Sequence, residues 1–246
     1  MERRKNNERT RPTCPEVVAR LEACADREHL CGMARFGIDT TTALGIRVVD
    51  LRRLAREIGR DHALALELYR LPIHEGRILA SMLADPLLFS EEEMDRWVGE
   101  FRSWDLCDQC CMNLFRHTPY AYRKVGQYVA SPEEFTRRAG FALLATLAAG
   151  DKRADEERFR ACLPLIERYA REDSRDRVRK AVNWALRAVG KRGGELLSEA
   201  LAVARRLADD GTFPAARWIG RDAVRELTDP KTLARIGRMR SRRSAR

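Results

Sequence analysis

Helical periodicity without a competing strand signal constrains this chain more than any other feature. Apolar residues recur at i, i+3, i+4 and i+7, as at Leu51, Leu54, Ala55 and Ile58, the stripe that an amphipathic helix buries. β-branched runs are short, and no Asn-Gly or Asp-Gly turn joins two alternating segments, so hairpins are not expected. Proline punctuates the pattern. Asp85-Pro86, Ser131-Pro132 and Asp229-Pro230 place a capping residue before a proline, which suits the first turn of a helix. Pro164 falls inside a helical stretch and predicts a kink. The expected helices lie near 16–36, 48–59, 61–70, 73–84, 90–101, 104–117, 120–129, 132–149, 155–171, 174–190, 194–209, 214–227 and 230–238.

Small, apolar helix centres recur within this series, at Gly76–Ala80, Arg138–Ala142, Lys180–Ala185 and Ala215–Ile219. With the 104–117 helix between the first two, the spacing is roughly 30–45 residues, the period of paired-helix solenoids. The fold class expected is therefore all-α: a right-handed α-solenoid of HEAT-like helix pairs with a concave binding face, an irregular helical bundle being the alternative. The 246 residues, 44% of them hydrophobic, suffice for one substantial core. The expected organisation is a basic disordered tail at 1–12, a single repeat domain at 13–234 and a basic tail at 235–246. No apolar run reaches the ~20 residues of a membrane span, and the N-terminus lacks a secretory apolar region. Seven scattered cysteines fit reduced thiols in a cytoplasmic protein, nucleoid-associated if bacterial.

The net charge of +10 is unevenly placed. Residues 1–12 hold five basic and two acidic side chains, and residues 235–246 hold six arginines and no acid. Within the body, 61–136 carries 7 basic and 13 acidic groups, whereas 137–192 carries 15 basic and 8 acidic. The second block could form a positive surface for nucleic acid; it could equally be solvated helix faces with i,i+4 pairs such as Asp176 with Lys180.

Dinucleotide, P-loop and serine-hydrolase motifs are all missing, so no cofactor is expected. Cys107-x2-Cys110-Cys111 resembles half of a zinc site but lacks a second ligand pair. Buried cysteines acting as small hydrophobes explain it better, and no metal is expected. Trp104 and Asp108 are more informative. They stand at i and i+4, one above the other on a helix, in a strongly apolar context. A carboxylate there needs a cationic partner or a chemical task. The partner could be an arginine of the next repeat, such as Arg138, with Trp104 and Trp184 as ordinary core anchors.

At these residues the chain resembles the AlkD-type DNA alkylation repair family, HEAT-repeat DNA glycosylases, from about Met33 to Leu233. Met33-Ala34-Arg35-Phe36 followed by Leu44-Gly45-Ile46, Ser103-Trp104-Asp105-Leu106-Cys107-Asp108, Thr136-Arg137-Arg138-Ala139 and Lys180-Ala181-Val182-Asn183-Trp184-Ala185-Leu186-Arg187 carry the resemblance, in order. It implies that Trp104, Asp108, Arg138, Trp184 and Arg187 line a cleft around the DNA backbone, with Asp108, Trp104 and Trp184 catalytic. Arg138, Arg187, Arg137, Lys180, Lys191 and Phe36 are the implied DNA contacts; Phe36 stands where the family often has tyrosine. The implied reaction is excision of N3- or N7-alkylated purines from double-stranded DNA by a monomer, with the base left stacked. A non-catalytic DNA-binding module and a protein-interaction scaffold using the acidic half are the rival readings.

Overall fold

The computed structural model describes residues 11–244, with side chains described through residue 239. Residues 1–10 and 245–246 of the two expected tails lie outside the described part. Among the described residues every regular element is a helix. None of them is long and apolar enough to cross a membrane. The chain divides into two compact units, one ending at Ser90 and one beginning at Glu91.

The first unit holds α1 (Cys14–Ala23), α2 (Arg27–Arg35), α3 (Val48–Ile58), α4 (His62–Arg70) and α5 (His74–Leu83). The single helix expected at 16–36 is two. Asp26 interrupts it because its carboxylate accepts from the His29 backbone N–H and caps the second, as Asp does when it competes with the helical ladder. Val17, Leu21, Leu51, Leu68 and Leu79 form the core of the unit, each at most 1% exposed. A buried acid organises the loop before α3. The Glu75 carboxylate accepts from the backbone N–H groups of Leu44, Gly45 and Ile46 at 2.8–3.1 Å. Gly45 sits at φ 83°, where a Cβ would collide with the Asp26 carbonyl oxygen, so the turn of the Leu44-Gly45-Ile46 segment requires glycine.

The second unit holds α6 (Glu91–Gly99), α7 (Trp104–Asn113), a 3-10 turn (Phe115–His117), α8 (Ala121–Ala130), α9 (Glu134–Gly150), α10 (Glu156–Arg160), α11 (Leu163–Glu172), α12 (Asp176–Gly190), α13 (Glu195–Ala208), α14 (Pro214–Thr228) and α15 (Pro230–Ser244). The kink expected at Pro164 is a full break between α10 and α11, with the proline in the first turn of α11. There its missing N–H costs no hydrogen bond. Helix α15 runs well into the basic segment expected as a tail. The Asp229 side chain caps it at Thr232 N–H, and Ile236 anchors it at 4% exposure.

Helices pair as α8 with α9, α11 with α12 and α13 with α14, while α7, α9, α12 and α14 pack side by side in one layer. Helix α9 is the centre of that layer, and every residue from 138 to 148 is buried. Successive pairs are in register. Arg160–Glu199, Glu167–Arg206, Arg171–Asp210, Asn183–Asp222 and Arg187–Glu226 each join side chains 39 residues apart. The repeat anticipated at roughly 30–45 residues thus has a 39-residue step through these helices.

Candidate nucleic-acid interface

Helix α7 is buried along Leu106, Cys107, Cys110 and Cys111. Its apolar face fixes the rotation that leaves Trp104 and Asp108 half-buried one turn apart on the other side. Burial pushes the Cys111 thiol well above its usual range, and the three cysteines behave as small core side chains. Among the described residues no group of three acids, histidines or cysteines could hold a metal ion.

Asp108 accepts two hydrogen bonds from one guanidinium, Arg138 Nη2 to Oδ2 at 2.7 Å and Arg138 Nε to Oδ1 at 3.1 Å. The side chains are 13% and 6% exposed. Arg138 also donates from Nη1 to the Arg177 carbonyl at 2.5 Å, and its guanidinium carbon lies 5.8 Å from the Trp104 ring centroid. One arginine of α9 therefore touches the carboxylate and indole of α7 and the first turn of α12. Burial raises the Asp108 carboxyl from its ordinary value, and the Arg138 charge and hydrogen bonds oppose it. For Arg138, burial works against the cation, but Asp108 outweighs it and the guanidinium is held above its ordinary value. Two N–H bonds from one fork favour the ionised carboxylate and fix its orientation.

Arg177, Lys180, Trp184 and Arg187 of α12 are left outside the core, and Lys191 follows at the end of the helix. Their spacing of three and four makes one continuous stripe of four cations and an indole. Each cation has an acid nearby. Lys180 pairs with Asp176 at 2.8 Å, Lys191 with Glu226 at 2.6 Å, and Arg187 with Glu226 and, at 3.4 Å, Asp222. Arg177 is 4.0 Å from Glu134.

The structure thus brings Trp104, Asp108 and Arg138 into contact and sets Lys180, Trp184, Arg187 and Lys191 on one stripe. Arg137, the neighbour of Arg138, turns the other way. Its Nη1 meets Asp173 at 2.5 Å and its guanidinium lies 4.6 Å from the Tyr169 ring centroid on α11. Phe36 caps α2 in the first unit and is 74% exposed. Asp222 and Glu226, which offset Arg187 and Lys191, were not among the residues expected at the site. Their 39-residue offset from Asn183 and Arg187 is the one signal that could have found them.

Two comparisons bear on this geometry. The family model described as DNA alkylation repair enzyme matches residues 17–227. A solved structure of a protein described as one of a new family related to the HEAT-like repeat DNA glycosylases, with affinity for branched DNA structures, aligns with a TM-score of 0.74 at 20% identity, covering 87% of this chain and 95% of that one. No curated protein matches the chain.

Proposed function

The chain belongs to the DNA alkylation repair enzyme family, and from that premise we propose that it binds double-stranded DNA and hydrolyses the N-glycosidic bond of N3- or N7-alkylated purines. The observation that carries the reading is the contact of Trp104, Asp108 and Arg138: a fixed anion one helical turn from an indole, at the edge of a buried layer. Alkylation at N3 or N7 already makes the purine a cationic leaving group, so the reaction needs little general acid. What must be stabilised is an oxocarbenium-like deoxyribose. Asp108 supplies negative charge for that cation and a lone pair to orient the attacking water. The Trp104 and Trp184 rings present π faces to the same developing charge. Arg138 acts as a positioning residue, since its guanidinium is spent on Asp108 and the Arg177 carbonyl. Lys180, Arg187 and Lys191 exchange their carboxylate partners for phosphates when DNA arrives.

A second reading, binding without excision, draws on one observation. Both Asp108 oxygens are already engaged, and only 13% of the side chain is exposed. The solved relative described as having affinity for branched DNA is compatible with it. An assay on methylated duplex DNA separates the two by measuring free 7-methylguanine and abasic sites beside binding anisotropy. Excision predicts base release by the wild type and a loss of at least about 100-fold in Asp108→Asn, with DNA affinity retained. Binding with no released base would establish the second reading, and unchanged turnover in Asp108→Asn would remove the carboxylate from the chemistry.

A further inference from the structure

Three rungs cross from α12 to α14, at 179/218, 183/222 and 187/226, each pair offset by the 39-residue step. Two are polar: Arg187 meets Glu226, and the Asn183 amide donates to Asp222 at 2.7 Å. The third is different in kind. The Arg179 guanidinium carbon stands 4.6 Å from the ring centroid of Trp218, and Trp218 remains 39% exposed. An acid in place of the indole would have neutralised the rung. Instead Arg179 shares one carboxylate, Asp176, with Lys180, which leaves a surplus positive charge beside the ring. The Arg179 Nε is buried without a hydrogen-bond partner. On α14 itself, Arg221 follows Trp218 at i+3 and is exposed, with no ion pair among the described residues.

An exposed indole backed by a guanidinium, with an uncommitted arginine one turn along, offers a flat π surface and anion contacts together. Duplex DNA presents phosphates but keeps its base faces in the stack, whereas an unpaired nucleotide presents both. We propose that Trp218, backed by Arg179, stacks an unpaired nucleobase of DNA while Arg221 holds the adjacent phosphate. The site gives the protein a preference for DNA with a single-stranded segment beside the duplex. This inference rests on the DNA-binding reading above, and it does not depend on excision.

The test compares a blunt duplex with the same duplex carrying a single-stranded flap, by fluorescence anisotropy at fixed salt. Wild type, Trp218→Leu, Trp218→Phe and Arg221→Ala are measured after circular dichroism has matched their folds. Wild type should prefer the flap. Trp218→Leu should lose roughly tenfold in flap affinity while blunt-duplex affinity stays within about twofold. Trp218→Phe, which keeps an aromatic face, should retain most of the preference, and Arg221→Ala should weaken flap binding with a shallower salt slope. Equal losses on both substrates in Trp218→Leu, or an intact flap preference, would overturn the stacking site and leave duplex binding standing. Failure of wild type to bind either DNA would overturn the DNA-binding reading itself, and the stacking site with it.

Discussion

Asp108 and Arg138 show what a single pair contributes at the residue scale. Each would be costly where it lies without the other, because a charge removed from water must find compensation. Arg138→Ala leaves the Asp108 carboxylate facing an empty space lined by an indole. The expected cost is about 3 kcal/mol, the low end for breaking a buried pair because Asp108 keeps some exposure. Arg138→Lys restores the charge but not the fork, since a single ammonium cannot span two carboxylate oxygens and the Arg177 carbonyl. It should therefore recover stability only in part, and excision less. Urea midpoints read the first effect and base release the second. A loss below about 0.5 kcal/mol in Arg138→Ala, the size of an exposed pair, would show that the carboxylate is effectively in water. The presence of an acid at 108 with an indole at 104 was legible in the sequence, as was Arg138 as its possible partner. That Arg138 would also reach the Arg177 carbonyl while Arg137 turns to Asp173 was not, since both depend on how α9 is rotated into its layer.

At the scale of elements, helix positions followed from apolar spacing and proline placement, because both act locally on the backbone. The expected 48–59, 61–70, 73–84 and 214–227 each correspond to an observed helix, α3, α4, α5 and α14, to within two residues at either end. The failures have local causes too. Asp26 ends α1's reach by capping α2. Closeness between helices was less legible than their existence. Gly220 of α14 faces α13 so tightly that a Cβ would lie 2.2 Å from the Ala208 nitrogen and 2.5 Å from the Ala204 carbonyl oxygen. Both obstacles are backbone, so neither can rotate away. Gly220→Ala should push α13 and α14 apart and destabilise the protein by about 2–3 kcal/mol despite its higher helix propensity. Thermal denaturation would detect this as a lowered midpoint, and a raised midpoint would mean the crossing is looser than the structure shows.

Across the whole molecule, the +10 charge says less than its pairing. The basic block at 137–192 is threaded by acids of neighbouring repeats, so its cations are held in register before any ligand arrives. This pairing makes the protein acid-sensitive. Burial alone would raise the Asp173 carboxyl, yet hydrogen bonds from Arg175 and Arg137 outweigh it and hold the value below the ordinary range. Glu226 behaves likewise, lowered by Lys191 and Arg187 against its burial. Carboxylates with depressed folded values contribute stability above the unfolded values of ~3.9 and ~4.3. That contribution is lost as pH falls through those values towards the lower folded ones. Stability should hold near pH 6 and fall steeply below about pH 4. Asp173→Asn should start less stable but show a shallower acid limb in pH-dependent urea unfolding. Parallel limbs in the variant and wild type would exclude Asp173 as a contributor.

Helix content, the repeat spacing and the Trp104–Asp108 turn were determined by the sequence by itself, because each depends on residues within a few positions or on a regular recurrence. Tertiary structure alone decided that Arg138 also reaches the Arg177 carbonyl, that Glu226 and Asp222 offset the α12 cations, and that Trp218 rather than an acid meets Arg179. Those outcomes depend on how far one helix slides and rotates against the next. A displacement of one residue along α14 would have exchanged every partner on that face while leaving the helical pattern unchanged.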